Sequence, residues 1–489
     1  MMQKTKKLLI TFLGTSHRRT TYLMNGREQT TEYILEALAS FTSPDEIIVY
    51  GTRGSGWLDL YEYIINRLSD AERRNADADR ILKALTEADS AAKNAPNNQL
   101  EALSEEISAC VQPLAGMGVL SGVTRISIRL LRYGPEKDVN DGNYRLLADD
   151  LRQRLSGDGR YDVAFDITHS FRSFPFFNYA VLEYLRCVLP SEISISHIYY
   201  GDYENHDKDG RTNIIDLGFV TRVHALTRAV EEFRHTGRTA TLAGLLTEEA
   251  DHGMKDALLT FEKGMDTNAL DKIRSGISRL LNETANPDDT SPVGDARSLI
   301  REALRENLLD EHCSDADLSK AWKGIEKTGV ARQQLMITNM LCRTGNYGQA
   351  SLVVTEAMIT IIHQILSGSG QFSAAELTGK SETELINSTI NHIRHSSSKA
   401  RADVFLRQLA ELYGSVKQFR NVYAHNLDTT EDERRQLSYG EAQKKIGELR
   451  GKLDKFILCI SPKAGDDPMY SEARETIVQT ALRQLQQRS

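Results

Sequence analysis

Short apolar runs rich in β-branched and aromatic residues are confined to the first 220 residues, and that confinement restricts the fold more than any other feature of the chain. They are LLITFL (8–13), EIIVY (46–50), RISIRLL (125–131), YDVAFDI (161–167), ISISHIYY (193–200) and NIIDL (213–217). Each has strand composition, and most lead into Gly, Ser, Thr or Asp. Stretches of helical spacing separate them, as in TTEYILEALASF and NYRLLADDLRQRL. Such alternation predicts an α/β N-terminal domain with a Rossmann-like, mostly parallel sheet over residues 1–220. Residues 70–115 are charged and Ala-rich without strand signals, and read as a helical insertion.

Beyond residue 220 only helical periodicity remains, broken most clearly by NPDDTSPVGD at 286–295. The division expected is an all-α connector over 221–334 and an all-α domain over 335–489.

Five cysteines (Cys110, Cys187, Cys313, Cys342, Cys459) are scattered without CxxC or Cys/His spacing. Neither a zinc site nor a disulfide framework is expected, and no metal ligands are assigned. The opening MMQKTKKLLITFLGTSH reads as a buried first strand rather than a signal peptide, because its apolar core is short and no small-residue cleavage site follows. No run approaches the roughly 18 apolar residues of a membrane helix, so a cytoplasmic protein without a membrane partner is expected. A net charge of -8 means that any nucleic acid must be met by a local patch.

Ligands of open parallel sheets bind beyond the carboxyl ends of the strands. Three strand ends here are small and polar: Gly14-Thr15-Ser16-His17, GTRGSGW at 51–57 and DITHSFRSFPFF at 166–177. Backbone N–H groups, hydroxyls and an arginine in such loops suit phosphate or ribose oxygens. The first strand is followed by no GxGxxG, and GxxxxGK[ST] is absent, which disfavours a dinucleotide dehydrogenase and a P-loop ATPase. The plainer alternative is that these residues make tight turns and that Asp166 caps the next helix.

Together LLITFLGTS, the GT loop after the second strand, DITHSFRSFP and IYYGDYE with NIIDL resemble the CARF sensor domain of type III CRISPR-associated proteins. The resemblance covers most of residues 7–220 outside the insertion. It implies a dimeric domain that binds a cyclic oligoadenylate across its two-fold axis, with tetra-adenylate ahead of hexa-adenylate. By position, Gly14, Thr15, Ser16, Thr52, Arg53, Thr168, His169, Ser170 and Arg172 would line the pocket; Thr168 and His169 could equally serve turn and packing.

The second feature is FRNVYAHN at 419–426. Phe405, Leu409, Leu412, Val416, Phe419 and Tyr423 follow the period of one buried helical stripe. Arg420 falls at its edge, with Asn421 and His425 on the far side, so packing does not demand them. Asn426 tolerates the left-handed conformation that ends helices, which puts His425 in a last turn where the helix dipole favours a protonated imidazole. Close Arg and His residues alone decide little: Arg228 with His235 and Arg305 with His312 also occur. Arg420 could pair with a carboxylate and His425 could cap a helix.

Arg420-Asn421 through His425, with GNYGQASLVVTEAMI upstream, resembles the HEPN ribonuclease motif over roughly 335–460. The whole chain then resembles the CARF–HEPN ribonucleases of type III CRISPR defence. That resemblance implies a cyclic-oligoadenylate-activated, metal-independent endoribonuclease cutting single-stranded RNA. Arg420, Asn421 and His425 would be catalytic, with no cofactor beyond the activator, and Glu356 is a candidate partner for Arg420. At about 100° per residue Arg420 lies roughly 140° from His425. Either the helix bends, or two chains supply the site; the family implies the second, in a homodimer or higher even oligomer. Two other readings stay open: a non-catalytic sensor whose helical half binds DNA or protein, and a sensor that slowly cuts its own ligand with help from a loop hydroxyl or His169.

Overall fold

A computed structural model describes residues 5–15, 17–132, 137–156, 159–169, 174–189, 192–246, 252–285, 292–309, 318–323, 329–424, 439–460 and 467–487. It divides into two compact units, Met1–Arg222 and Val223–Ser489.

In the first unit, β1 (Lys6–Phe12), β2 (Thr20–Met24), β3 (Arg27–Thr31), β4 (Glu46–Thr52), β5 (Arg125–Leu131), β6 (Arg160–Asp166), β7 (Glu192–Gly201) and β8 (Thr212–Asp216) form one sheet in the order β3-β2-β8-β7-β6-β1-β4-β5. Strands β7, β6, β1, β4 and β5 run parallel, with Ile10 of β1 opposite Ile48 of β4 and Phe165 of β6. Parallel strands covered on both faces need apolar residues on both. Accordingly Leu8, Ile10 and Phe12 pack to one side and Leu9 and Leu13 to the other.

The mostly parallel α/β reading holds, with one addition. β2 and β3 form an antiparallel hairpin that sequence periodicity missed. Its turn is Asn25-Gly26, with φ of 50° and 75°, as a two-residue hairpin turn requires. The first residues of TTEYILEALASF therefore belong to β3, and helix α1 begins only at Ile34 (Ile34–Thr42). Strand β8 pairs antiparallel with β7 and parallel with β2.

One face of the sheet carries α1, α2 (Trp57–Asn66), α4 (Ala78–Asn94) and α5 (Leu100–Val111), with the short α3 (Asp70–Ala76) leading in. A reciprocal capping box between Ser69 and Glu72 starts α3. The other face carries α6 (Lys137–Leu155) and α7 (Phe174–Val188). Ile81, Leu85, Ile107 and Val111 of the stretch 70–115 are buried, so it forms part of the core. It also closes the sheet margin. The outward amides of β5 at Ile126, Ile128 and Leu130 donate to Gln112 Oε1 (3.3 Å), Ser108 Oγ (3.0 Å) and Ser104 Oγ (2.8 Å).

The second unit is helical among the described residues: α8 (Phe219–Thr236, begun in the first unit), α9 (Ala240–Leu245), α10 (His252–Thr267), α11 (Leu270–Glu283), α12 (Pro292–Leu308), α13 (Leu318–Lys323), α14 (Gly329–Arg343), α15 (Tyr347–Gly368), α16 (Gly379–Arg394), α17 (Arg401–Ala424), α18 (Tyr439–Phe456) and α19 (Pro468–Gln486). They share one hydrophobic core. Helices α10 and α11 approach through glycines: a methyl on Gly276 would lie 2.7 Å from Phe261 Cα, and one on Gly264 would lie 2.6 Å from the Ile273 amide nitrogen. Helix α15 is long and apolar enough to cross a bilayer, a feature sequence reading did not find, but Val354, Ala357, Ile361 and Leu366 are buried in this core.

Candidate functional site

The strand order reverses at β1, with β4 on one side and β6 on the other, so three parallel strands end side by side. This is the place where an open α/β sheet forms a crevice. The loops after those strands touch. Gly56 N–H donates to the Gly14 carbonyl (2.9 Å), and a methyl on Gly14 would lie 3.6 Å from His169 Cβ.

Asp166, the last residue of β6, anchors the crevice floor and is 0% exposed. Thr11 of β1 donates from Oγ1 to its Oδ2 at 2.6 Å, and the Thr168 amide donates to Oδ1 at 3.0 Å. The second bond is an Asx-type turn, so the carboxylate fixes both the neighbouring strand and the following loop. Thr168 Oγ1 in turn accepts from the Gly201 amide (2.8 Å), tying that loop to β7. Burial pushes the Asp166 carboxyl up and the His169 imidazole down, and each neutral form is favoured as a result.

His169 Nε2 lies 3.4 Å from the Tyr203 hydroxyl, which is bonded to the hydroxyl of buried Tyr22. Burial raises both phenols, so the two hydroxyls stay protonated at neutral pH. Nearby, Tyr33 stacks on His17 at 4.9 Å between centroids, and its hydroxyl lies 3.1 Å from His17 Nδ1.

Gly14, Thr168 and His169 therefore meet at one sheet edge, with exposed Thr15 beside them. Thr52 is buried, and its amide and hydroxyl are engaged with Ser55 and Gly54 in a tight turn. Arg53 donates to the Ala95 carbonyl at 3.0 Å. Ser16, Ser170 and Arg172 lie outside the described residues. Sequence reading gave Asp166 only a capping role and passed over Thr11, Tyr22 and Tyr203. An acid ending one apolar strand, facing a threonine in another, was the available signal.

In the second unit, α17 buries Leu406, Leu409, Ala410, Tyr413, Val416 and Phe419. Phe405 and Leu412, expected in the stripe, are only partly buried against it. The helix continues to Ala424, with Arg420 half-buried and Asn421 exposed near its end. His425 lies outside the described residues. Burial raises the Tyr413 phenol, Glu356 on α15 adds to the rise and Arg420 opposes it. Glu356 and Arg420 thus flank one tyrosine; no ion pair joins them among the described residues. An uncompensated guanidinium at a helix end can receive a phosphate.

Residues 8–204 match the family model described as the CARF domain of the CRISPR system endoribonuclease Csx1. Residues 222–306 match the model for the second domain of CRISPR-associated protein MJ1674. The CRISPR-associated protein MJ1674 of Methanocaldococcus jannaschii is 26% identical over 249 residues, which is 51% of this chain and 37% of that relative. The matched part is thus little more than a third of that relative's length. A structure of Enterococcus italicus Csm6 bound to cyclic hexa-2'-fluoro-hexa-dAMP aligns with 98% of this chain and 100% of its own, at 12% identity and a TM-score of 0.38. A superposition that loose carries no argument.

Proposed function

The chain belongs to the CARF-containing CRISPR-associated proteins of type III systems, and from that premise we propose that it is a ribonuclease switched on by a cyclic oligoadenylate. The first unit is the sensor. Its ligand is a ring of adenylates, tetra-adenylate before hexa-adenylate, held where the loops of Gly14 and His169 meet. Thr15, Ser16, Thr52, Arg53, Thr168, Ser170 and Arg172 complete the set assigned to that role. The Asp166 network keeps the floor rigid, while the neutral His169 offers a hydrogen bond without a charge.

The effector is the part of the second unit from about residue 335 onward, acting as a HEPN-type domain on single-stranded RNA. One observation carries this reading: Arg420 and Asn421 occupy the end of a long helix, solvent-accessible to different degrees, with no carboxylate neutralising the guanidinium among the described residues. His425, four residues past Asn421, completes the triad. RNA carries its own nucleophile. The 2′-hydroxyl loses its proton to a base and attacks the adjacent phosphorus in line. The P–O5′ bond then breaks, and the leaving oxygen takes a proton. Products are a 2′,3′-cyclic phosphate and a 5′-hydroxyl.

Histidine serves these proton transfers near neutrality, an effect worth about 10²–10⁴ in rate. Arginine holds the charge that builds on the non-bridging oxygens. Residues five apart stand about 140° round a straight helix, which would keep Arg420 and His425 of one chain from facing one phosphate, so a dimer or higher even oligomer supplies the site from two chains. The ring activates only to the extent that it binds the competent arrangement more tightly than the idle one.

The test incubates purified protein with labelled RNA, with and without cyclic tetra- or hexa-adenylate, beside Arg420→Ala and His425→Ala. Cutting that requires the ring, survives EDTA and is lost in both variants supports the proposal. Ring binding without any cutting, or 5′-phosphate products, refutes it.

A further inference from the structure

Helices α16 and α17 pack side by side, and the polar seam between them carries cations without carboxylate partners. Lys417 Nζ lies 3.2 Å from Asn387 Oδ1 and 5.8 Å from the centre of the Tyr413 ring. Further along, Arg394 lies across the backbone of α17: a methyl on Gly414 would stand 3.0 Å from its Nη1. Residues three, four and seven apart share a helix face. Gly414, Lys417 and Asn421 therefore line one face of α17, and Asn387 and Arg394 one face of α16.

Two acids of α16 are already occupied, and Glu411 of α17 and Glu356 of α15 form no ion pair with these cations among the described residues. Glu382 faces His363 Nδ1, and Glu384 lies 4.0 Å from Lys380. Among the described residues no ion pair engages Arg394, Lys417 or Arg420. In a chain of net charge -8, two cations without an ion pair among the described residues, facing each other across one seam with Arg420 a turn further on, are a local departure.

We propose that the seam between α16 and α17 is the track along which single-stranded RNA reaches the cutting site, with Arg394 and Lys417 binding backbone phosphates. This rests on the nuclease reading of Arg420, Asn421 and His425. Gly414 to Asn421 spans about 10 Å along the helix axis, room for a short run of nucleotides. The exposed Asn421 marks the end nearer the chemistry. Phosphate contacts fix position and register without reading bases, so the track is indifferent to sequence. The exposed Asn391, one turn past Asn387 on α16, offers its amide to 2′-hydroxyls, the groups that separate RNA from DNA.

The experiment measures RNA binding apart from cutting. In a His425→Ala background with saturating cyclic tetra-adenylate, labelled oligouridylate and oligoadenylate are titrated at several salt concentrations. Arg394→Gln and Lys417→Met, which keep the aliphatic stems, should each lower the slope of log K against log salt by about 0.7. Both RNAs should weaken alike, and Lys417→Arg should restore the slope. With His425 present, the same variants should raise KM while kcat holds. An unchanged slope in variants of unaltered thermal stability, while the wild type still cuts RNA, overturns the track and leaves the nuclease standing. A wild type that neither binds nor cuts RNA overturns both. Variants that turn a dimer into a monomer mark the seam as a contact between copies, and overturn the track as well.

Discussion

Replacing Thr11 with valine removes one hydroxyl and almost nothing else, which makes it a sharp probe of the crevice floor. Its Oγ1 donates at 2.6 Å to Asp166, a carboxyl with 0% exposure. A hydrogen bond to an ionised group is worth about 1.5–3 kcal/mol, and one between neutral groups about 0.5–1.5 kcal/mol. The cost of Thr11→Val therefore reports the charge on Asp166. Burial raises that carboxyl, so its native form holds the proton more tightly than the unfolded chain does. Stability from this group is complete below the unfolded carboxylate value and declines as pH climbs through the raised native value.

Thr11→Val should accordingly cost little at low pH and more as Asp166 ionises. In an Asp166→Asn background the cost should stay in the lower range at every pH. The chain has two tryptophans, with Trp57 buried in the first unit and Trp322 in the second. Urea unfolding followed by Trp57 fluorescence in a Trp322→Phe background isolates the first unit. A cost below about 0.5 kcal/mol, or one that does not change with pH, would refute the argument.

Gly276→Ala should destabilise the second unit by about 1–3 kcal/mol, because the new methyl meets the Phe261 backbone and not a movable side chain; thermal unfolding measures it. His169→Ala should weaken cyclic oligoadenylate binding. Because burial lowers the wild-type imidazole, any pH dependence of wild-type affinity that His169 brings should fall below the ordinary histidine range, as calorimetry at a series of pH values can test. Ser108→Val strips the Ile128 amide of its acceptor, and should cost about 1–3 kcal/mol in urea unfolding.

The parallel centre of the sheet was legible because buried strands must be apolar on both faces, and LLITF and EIIVY are. The β2–β3 hairpin was not. REQTT is polar, TTYLM is only five residues long, and both lie at the margin, so Asn25-Gly26 was the clearest announcement of them. The strand-end loops could be placed from sequence, and Gly14 and His169 do come together. What periodicity could not supply was the partner of Asp166, since Thr11 is distant along the chain and close only through strand register. On α17 the pattern put Arg420 at the edge of the buried stripe. It also put Phe405 and Leu412 in that stripe, where they are only partly buried, and left out Tyr413, which is buried.

Because Ser104, Ser108 and Gln112 occupy the outward amides of β5, that margin cannot recruit a further strand from any neighbour. Shortening the chain by excising residues 70–115 would thus uncover a sticky ribbon on the first unit, and the trimmed protein would be expected to precipitate rather than simply lose an ornament.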